Sequence, residues 1–291
     1  MRNIYFQLRG LSETRVSPYY AILTTGGVYV VYQENPRQFG IGSAKVDSVL
    51  QQEVLYPGQS VKVIIHVYGG ATAQVIDNIE LKLCCCYIAE VADERGQQQG
   101  QPMRRVPHTY TLANWSLPYA FTIEAGETRN FDIELSIPWN TPVTIGDAKV
   151  WLETGLDIAL ALDPTDKDIL TVRPEPMMDG IFSALEAQGL RLRQVECEQA
   201  KGFALPFVQE FEFVPTTGPF QGRWREVEIV AYRDPEALQL WFEVDRYQRG
   251  ASGMLASLLG RGELKRHLTL PARTSPQEAG EQVLAFLDRS C

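Results

Sequence analysis

The sequence predicts a mainly all-β protein, two β-sandwich domains in tandem, with a helix at the start of the second domain and short helices at the C-terminus. Three observations lead there. From Ala44 onward apolar residues recur with period two, the signature of strands buried on one face. The 17 prolines and 23 glycines are enough to punctuate many short strands. The 291 residues exceed the roughly 250 at which single hydrophobic cores begin to split.

Residues 1–39 form an atypical N-terminal extension with few regular patterns. Its apolar stretch from Tyr19 to Tyr32 is interrupted by Thr24, Thr25, Gly26 and Gly27. It is too short for the ~20 residues of a membrane-spanning helix, and it reads as a hairpin. The first sandwich is expected over residues 40–172. Val61, Val63, Ile65 and Val67 share one strand face, and Ile79, Leu81, Leu83, Cys85 and Tyr87 share the next, with Glu80 and Lys82 opposite. Tyr119, Phe121 and Ile123 make a third stripe; Phe131, Ile133, Leu135 and Ile137 make a fourth. Pro57-Gly58-Gln59, Gly69-Gly70 and Ala125-Gly126-Glu127 fall between strands, where glycine supplies the positive φ of tight turns. Pro138-Trp139-Asn140-Thr141-Pro142 forbids continuous ladder pairing and predicts a corner or crossover loop before Val150. The polar run from Asp163 to Asp168 contains a proline and suits an interdomain linker.

The second sandwich is expected over residues 173–249. Arg173-Pro174-Glu175-Pro176 sets off a helix from about Met177 to Gly189, in which Met178, Ile181, Phe182 and Leu185 recur at helical spacing. Strands follow at Arg191 to Cys197, Phe207 to Val214, Trp224 to Tyr232 and Leu238 to Val244. Residues 250–291 form a helix and strand appendage: a short helix around Met254, Leu255, Leu258 and Leu259, a strand near Leu264 to Leu270, and a final helix after Ser275 or Pro276. Packing of this region on the second domain is preferred to a free partner-binding arm.

Charge and cysteine usage narrow the function classes. With 36 acidic and 27 basic residues the net charge is -9, which argues against nucleic acid or an anionic membrane as partner. No clean apolar h-region or cleavage site follows Met1 to Gly10, so no secretory signal is expected and the chain is placed in the cytoplasm. Five cysteines, three of them consecutive, make no disulfide framework.

Several phrases together carry a resemblance: Gly40-Ile41-Gly42-Ser43-Ala44-Lys45-Val46-Asp47, Tyr56-Pro57-Gly58, Gly69-Gly70, Ile76-Asp77-Asn78-Ile79, Thr154-Gly155-Leu156-Asp157-Ile158 and Pro206-Phe207-Val208-Gln209-Glu210-Phe211-Glu212-Phe213. In this order, over Gly40 to Asp245, the chain resembles the bacterial sporulation-control family of the stage-zero M type. The resemblance implies an arrestin-like fold, a cytoplasmic setting and a regulatory or scaffolding role without enzymatic activity. It supplies no catalytic residues to carry over. The family's N-terminus lies shortly before the Gly40 phrase, so residues 1 to about 38 depart from its pattern.

Chemical sites are few. Cys84, Cys85 and Cys86 are thiolate candidates for zinc or copper, but a strand points Cys85 away from its neighbours, so core or interface thiols are expected and no metal. His66, His108 and His267 are scattered and read as structural. No Gly-x-Ser-x-Gly elbow is present, and Gly40-Ile41-Gly42-Ser43 lacks the third glycine of a dinucleotide loop. No catalytic, cofactor-binding or metal residues are assigned. Asp163, Asp166 and Asp168 are the most informative acidic group, because clustered like charges need compensation. Their expected role is to meet basic side chains such as Arg173 and fix the relative domain orientation. The expected function is non-catalytic docking of protein partners at sheet edges and loops, with self-association open to the same edges. The alternative is a small-molecule or lipid-binding module using the cleft between the sandwiches.

Overall fold

Two sheets face each other across the first buried core, and two helices cover one face of the longer sheet beyond it. The structure, a computed structural model, describes residues 19–24, 27–32, 42–92, 103–117, 120–158, 163–246 and 266–290. Two compact units comprise Met1–Gly40 and Ile41–Cys291. In the first, β1 (Tyr19–Thr24) and β2 (Gly27–Tyr32) pair antiparallel from Tyr19↔Tyr32 to Thr24↔Gly27, the hairpin expected there.

The second unit opens with β3 (Lys45–Leu50), which pairs with β5 (Ser60–Tyr68), which pairs in turn with β9 (Thr128–Ser136). Val46, Val61, Val63, Ile65, Val67 and Leu135 point from this three-stranded sheet into the core. Opposite lie β6 (Gln74–Ala92), β10 (Val150–Ile158) and β11 (Thr165–Val172), contributing Ile79, Leu81, Leu83, Cys85, Val150, Leu152, Leu156 and Val172. The period-two stripes are thus the inner faces of a sandwich. The short β4 (Val54–Leu55) runs parallel to β11, and β8 (Phe121–Ile123) borders the start of β6.

Two strands differ from the expectation. Residues 103–117, unassigned from sequence, form the 15-residue β7 (Met103–Leu117) along β6. Its register slips between the Leu83↔Ala113 and Cys84↔Thr111 pairs. That bulge switches the apolar phase from Tyr110 and Leu112 to Ala113, Trp115 and Leu117, all packed against the core. The polar run predicted as linker is largely β11, paired antiparallel to β10 from Val150↔Leu170 to Gly155↔Thr165. Its inward positions are Asp166, Asp168, Leu170 and Val172. Two aspartates where apolar residues normally sit disguise a strand as a loop.

The larger sheet continues past a single parallel bridge, Glu198↔Ile88, into β12 (Leu190–Gln199), β13 (Phe207–Pro215), β14 (Trp224–Arg233), β15 (Ala237–Arg246) and β16 (His267–Pro271). Phe211, Phe213, Val227, Ile229, Leu238 and Leu240 form one face of a second core. Helix α1 (Pro176–Ala187) buries Met177, Met178, Ile181 and Leu185 there, and α2 (Pro276–Ser290) buries Ala279, Val283 and Leu287. Pro176 suits the first helical turn, where an N–H has no partner. Gly189, at φ +81°, turns the chain out of α1, and a side chain there would strike Thr217 O. Ser275 and Glu278 cap α2 reciprocally: the Ser275 N–H donates to Glu278 Oε2 at 3.0 Å, and the Glu278 N–H to Ser275 Oγ at 3.2 Å. The expected helix at Met254 to Leu259 lies outside the described residues.

The opposite face of this sheet is acidic. Glu212, Glu228 and Glu243 stand side by side across β13, β14 and β15, and Glu196 faces Glu210 across β12 and β13. Arg193 pairs with Glu212 and Glu226, and Arg105 of β7 with Glu196 and Glu198. Burial first, then neighbouring carboxylates, pushes Glu210 up to about 8.

Candidate functional site

The loop predicted at Pro138 to Pro142 does more than turn a corner: it carries the chain from β9 to the place where the two cores meet. Thr141 closes it on Pro138 O, through its N–H at 3.1 Å and its hydroxyl at 2.8 Å. Val143, next along, belongs to the second core. Gln209 of β13 grips Val143 like a neighbouring strand, its Nε2 donating to Val143 O at 2.8 Å and its Oε1 accepting from Val143 N at 2.9 Å. The backbone N–H of Arg233, at the end of β14, donates to Asn140 Oδ1 at 2.7 Å. Two amide side chains therefore splice a loop of the first core to the sheet of the second.

Between them lies a cavity of about 60 Å³, walled by Trp139, Asn140, Glu175, Met178, Phe207 and Arg233 among others. Trp139 packs against Gly58 and Arg233. Gly58 leaves room for its ring, since a Cβ at Gly58 would lie 2.4 Å from Trp139 Cζ3. The Arg233 guanidinium carbon sits 4.4 Å from the ring centroid. Arg233 is 7% exposed and Glu175 8%. Glu175 caps α1, accepting from Met177 N at 2.9 Å and Met178 N at 3.2 Å. Its Oε1 lies 3.8 Å from Arg233 Nε, close enough for charge pairing and too far for a hydrogen bond. Opposite charges are thus desolvated together at the start of α1, where the helix dipole also favours the carboxylate.

The aspartates singled out from sequence lie elsewhere. Asp163 Oδ1 accepts from the N–H of Ile158, the last residue of β10, at 3.1 Å. Asp166 and Asp168 reach across the sandwich to Ser48 of β3. The Ser48 N–H donates to Asp166 Oδ2 at 2.9 Å, and its hydroxyl lies 2.6 Å from Asp168 Oδ2 and 3.2 Å from Asp166 Oδ2. The fully buried Thr154 of β10 completes the cluster, donating to Ser48 Oγ at 3.0 Å. Burial first, against the Ser48 hydrogen bond and with Asp166 and Asp47 adding repulsion, pushes Asp168 up to about 7. Arg173 is exposed, and its backbone N–H donates to Leu55 O at 2.9 Å. Among the described residues no ion pair joins it to the three aspartates.

Three of the four described thiols are buried. Cys84 and Cys85 are buried, and Cys197, distant in sequence, joins Cys85 in the first core. Burial raises Cys85 and pushes Cys197 up to about 12, which keeps both as unreactive thiols at neutral pH. His66 Nδ1 sits 2.8 Å from Asn130 Oδ1, and His267 stacks on Trp241.

The family described as SpoOM protein matches residues 35–248. The chain belongs to this family. Its relatives include the sporulation-control protein Spo0M of Bacillus subtilis (strain 168), 37% identical over 226 residues, covering 77% of this chain and 84% of that protein. The crystal structure of Spo0M from the same organism is similar at a TM-score of 0.74 and 33% identity, covering 86% of this chain and all of that one. The arrestin-like sandwich layering expected from the resemblance is therefore present. Ser48, Asn140, Glu175, Gln209 and Arg233 all fall inside the span of the Spo0M match, whereas β16 and α2 lie beyond it.

Proposed function

We propose that this Spo0M-family chain is a non-catalytic cytoplasmic regulator that docks an extended segment of a partner protein along the outer edge of β7. Membership of a sporulation-control family supports the regulatory role. Among the described residues no helix is long and apolar enough to cross a membrane. The observation that carries the docking mode is the state of β7 itself. Across 15 residues it pairs with β6 alone among the described strands. From Thr109 to Leu117 this edge bears no charge. Natural proteins blunt open edges with charges, prolines or short strands, because unpaired N–H and C=O groups template further pairing. Here Pro107 and the Arg104-Arg105 pair protect one end, and the rest is left ready to accept a strand.

The test is site-specific photo-crosslinking in the producing cell. A crosslinker at Thr109 or Asn114 should trap a defined protein, and Asn114→Lys with Ser116→Lys should abolish the adduct while leaving the fold intact. Trapping of a second copy of this chain would assign the edge to self-association. Equal trapping from a control position on the exposed face of α2 would defeat the reading.

A further inference from the structure

Arg233 brings a cation to the cavity wall with its Nε donor unspent. Its Nε is buried and has no hydrogen-bond partner. Its Nη1 donates to Asp234 O, and both oxygens of Glu175 are already engaged by the first turn of α1. A buried donor without an acceptor is costly, and native proteins retain such groups where something else completes them. The cavity at about 60 Å³ is several times the ~10–15 Å³ that one water requires, so it has room for a small polar group. Trp139, Met178, Phe207 and Phe211 give it apolar walls beside the polar groups of Asn140, Thr141, Gln209 and Arg233, the mixed make-up of a specific pocket.

We propose that this cavity binds a carboxylate group, held by the Arg233 guanidinium and packed against Trp139. The guanidinium edge offers donors in the planar spacing that a carboxylate accepts. Arg233 and Glu175 cancel in formal charge and the α1 N-terminus adds a partial positive one, so a singly charged guest fits better than a phosphate dianion. Trp139 and Asn140 are partly exposed and form the rim. A free organic acid and an acidic side chain of a partner present the same chemistry. The site stands independently of the β7 edge.

The experiment follows the Trp139 indole N–H of the full ¹⁵N-labelled chain, assigned with Trp139→Phe, during separate titrations with acetate, a tetraglutamate peptide and acetamide. A saturable shift with a carboxylate probe and none with acetamide is expected. Ala231→Leu takes up cavity volume while keeping the Arg233 and Glu175 side chains themselves, and should weaken the response about tenfold or more. Arg233→Lys keeps the charge, loses the planar fork and should do the same. Saturation by acetate assigns free acids, and saturation by the peptide alone assigns partner side chains. No saturable shift with either, an equal response to acetamide, or undiminished binding by folded Ala231→Leu would overturn the site.

Discussion

The Ser48 hydroxyl lies 2.6 Å from Asp168 Oδ2, and this contact joins the two facing sheets of the first sandwich through polar groups inside an apolar core. Ser48 supplies both its N–H and its hydroxyl to the two aspartates, so its side chain offsets part of their burial. Ser48→Ala removes the hydroxyl and leaves the Asp168 acceptor without it. A loss of about 1–3 kcal/mol is expected, read as a lower urea midpoint at unchanged slope. The same substitution should move the Asp168 titration above its value of about 7, because the hydroxyl favours the ionised form. Carboxyl ¹³C NMR checks that shift.

Stability should fall as pH rises through neutrality. Burial is the first cause of the raised values at Glu210 and Glu198, both about 8, and at Glu243 and Asp168, both about 7. Raised acids bind more protons folded than unfolded between their ordinary range and these values. The unfolding free energy therefore decreases with pH across that window, and the loss is complete above about pH 8. Glu127 and Glu278 are lowered, chiefly by backbone hydrogen bonds, and act in the opposite sense below the ordinary carboxylate range. Melting temperature should drop between about pH 5.5 and about pH 8.5. Glu210→Gln should flatten the profile and stabilise the alkaline side by on the order of 1–2 kcal/mol, with little effect on the acid side.

These two clusters show how far a sequence can be read. Period-two stripes located both sandwiched sheets and the second-core strands, because one buried face leaves an alternation that sequence displays directly. β7 escaped because its bulge reverses that alternation at Leu112 and Ala113, and β11 because its inward positions begin with two aspartates. Glu175 was legible as part of a helix start. Its partner Arg233 was not, and neither were the bonds from Gln209 to Val143 and from Arg233 to Asn140, which span 66 and 93 residues. No local pattern encodes contacts of that range.

The two helices cross through a gap made by absent side chains. A Cβ on Gly280 would meet the Ala184 Cβ at 2.6 Å and Gly180 O at 3.0 Å, and one on Gly180 would meet Pro276 O at 2.3 Å. Alanine favours a helix over glycine by about 1 kcal/mol, but here the neighbours are a backbone oxygen and a Cβ, which cannot swing aside. Overpacking should win, so Gly280→Ala is expected to destabilise by about 1–3 kcal/mol. Because Ala279, Val283 and Leu287 depend on the same docking, hydrogen exchange in α2 should accelerate in this variant. A thermal melt that is unchanged or higher would show that the helices separate freely.

Glu175 holds two roles that mutation can separate. Glu175→Gln removes the charge and keeps one of the two cap acceptors; Glu175→Ala removes the cap altogether. Losing a cap costs about 1 kcal/mol, whereas leaving Arg233 buried beside no counter-charge costs about 3–5 kcal/mol. The charge should therefore dominate, with Glu175→Gln retaining most of the damage of Glu175→Ala. Arg233→Met should rescue much of it, since an apolar side chain of similar length removes the orphaned cation and still covers Trp139. In a double-mutant cycle by urea unfolding, Glu175→Gln with Arg233→Met should be clearly less destabilised than the sum of the single variants. Additive losses would mean that the 3.8 Å pair carries no coupling and that Glu175 serves only the helix.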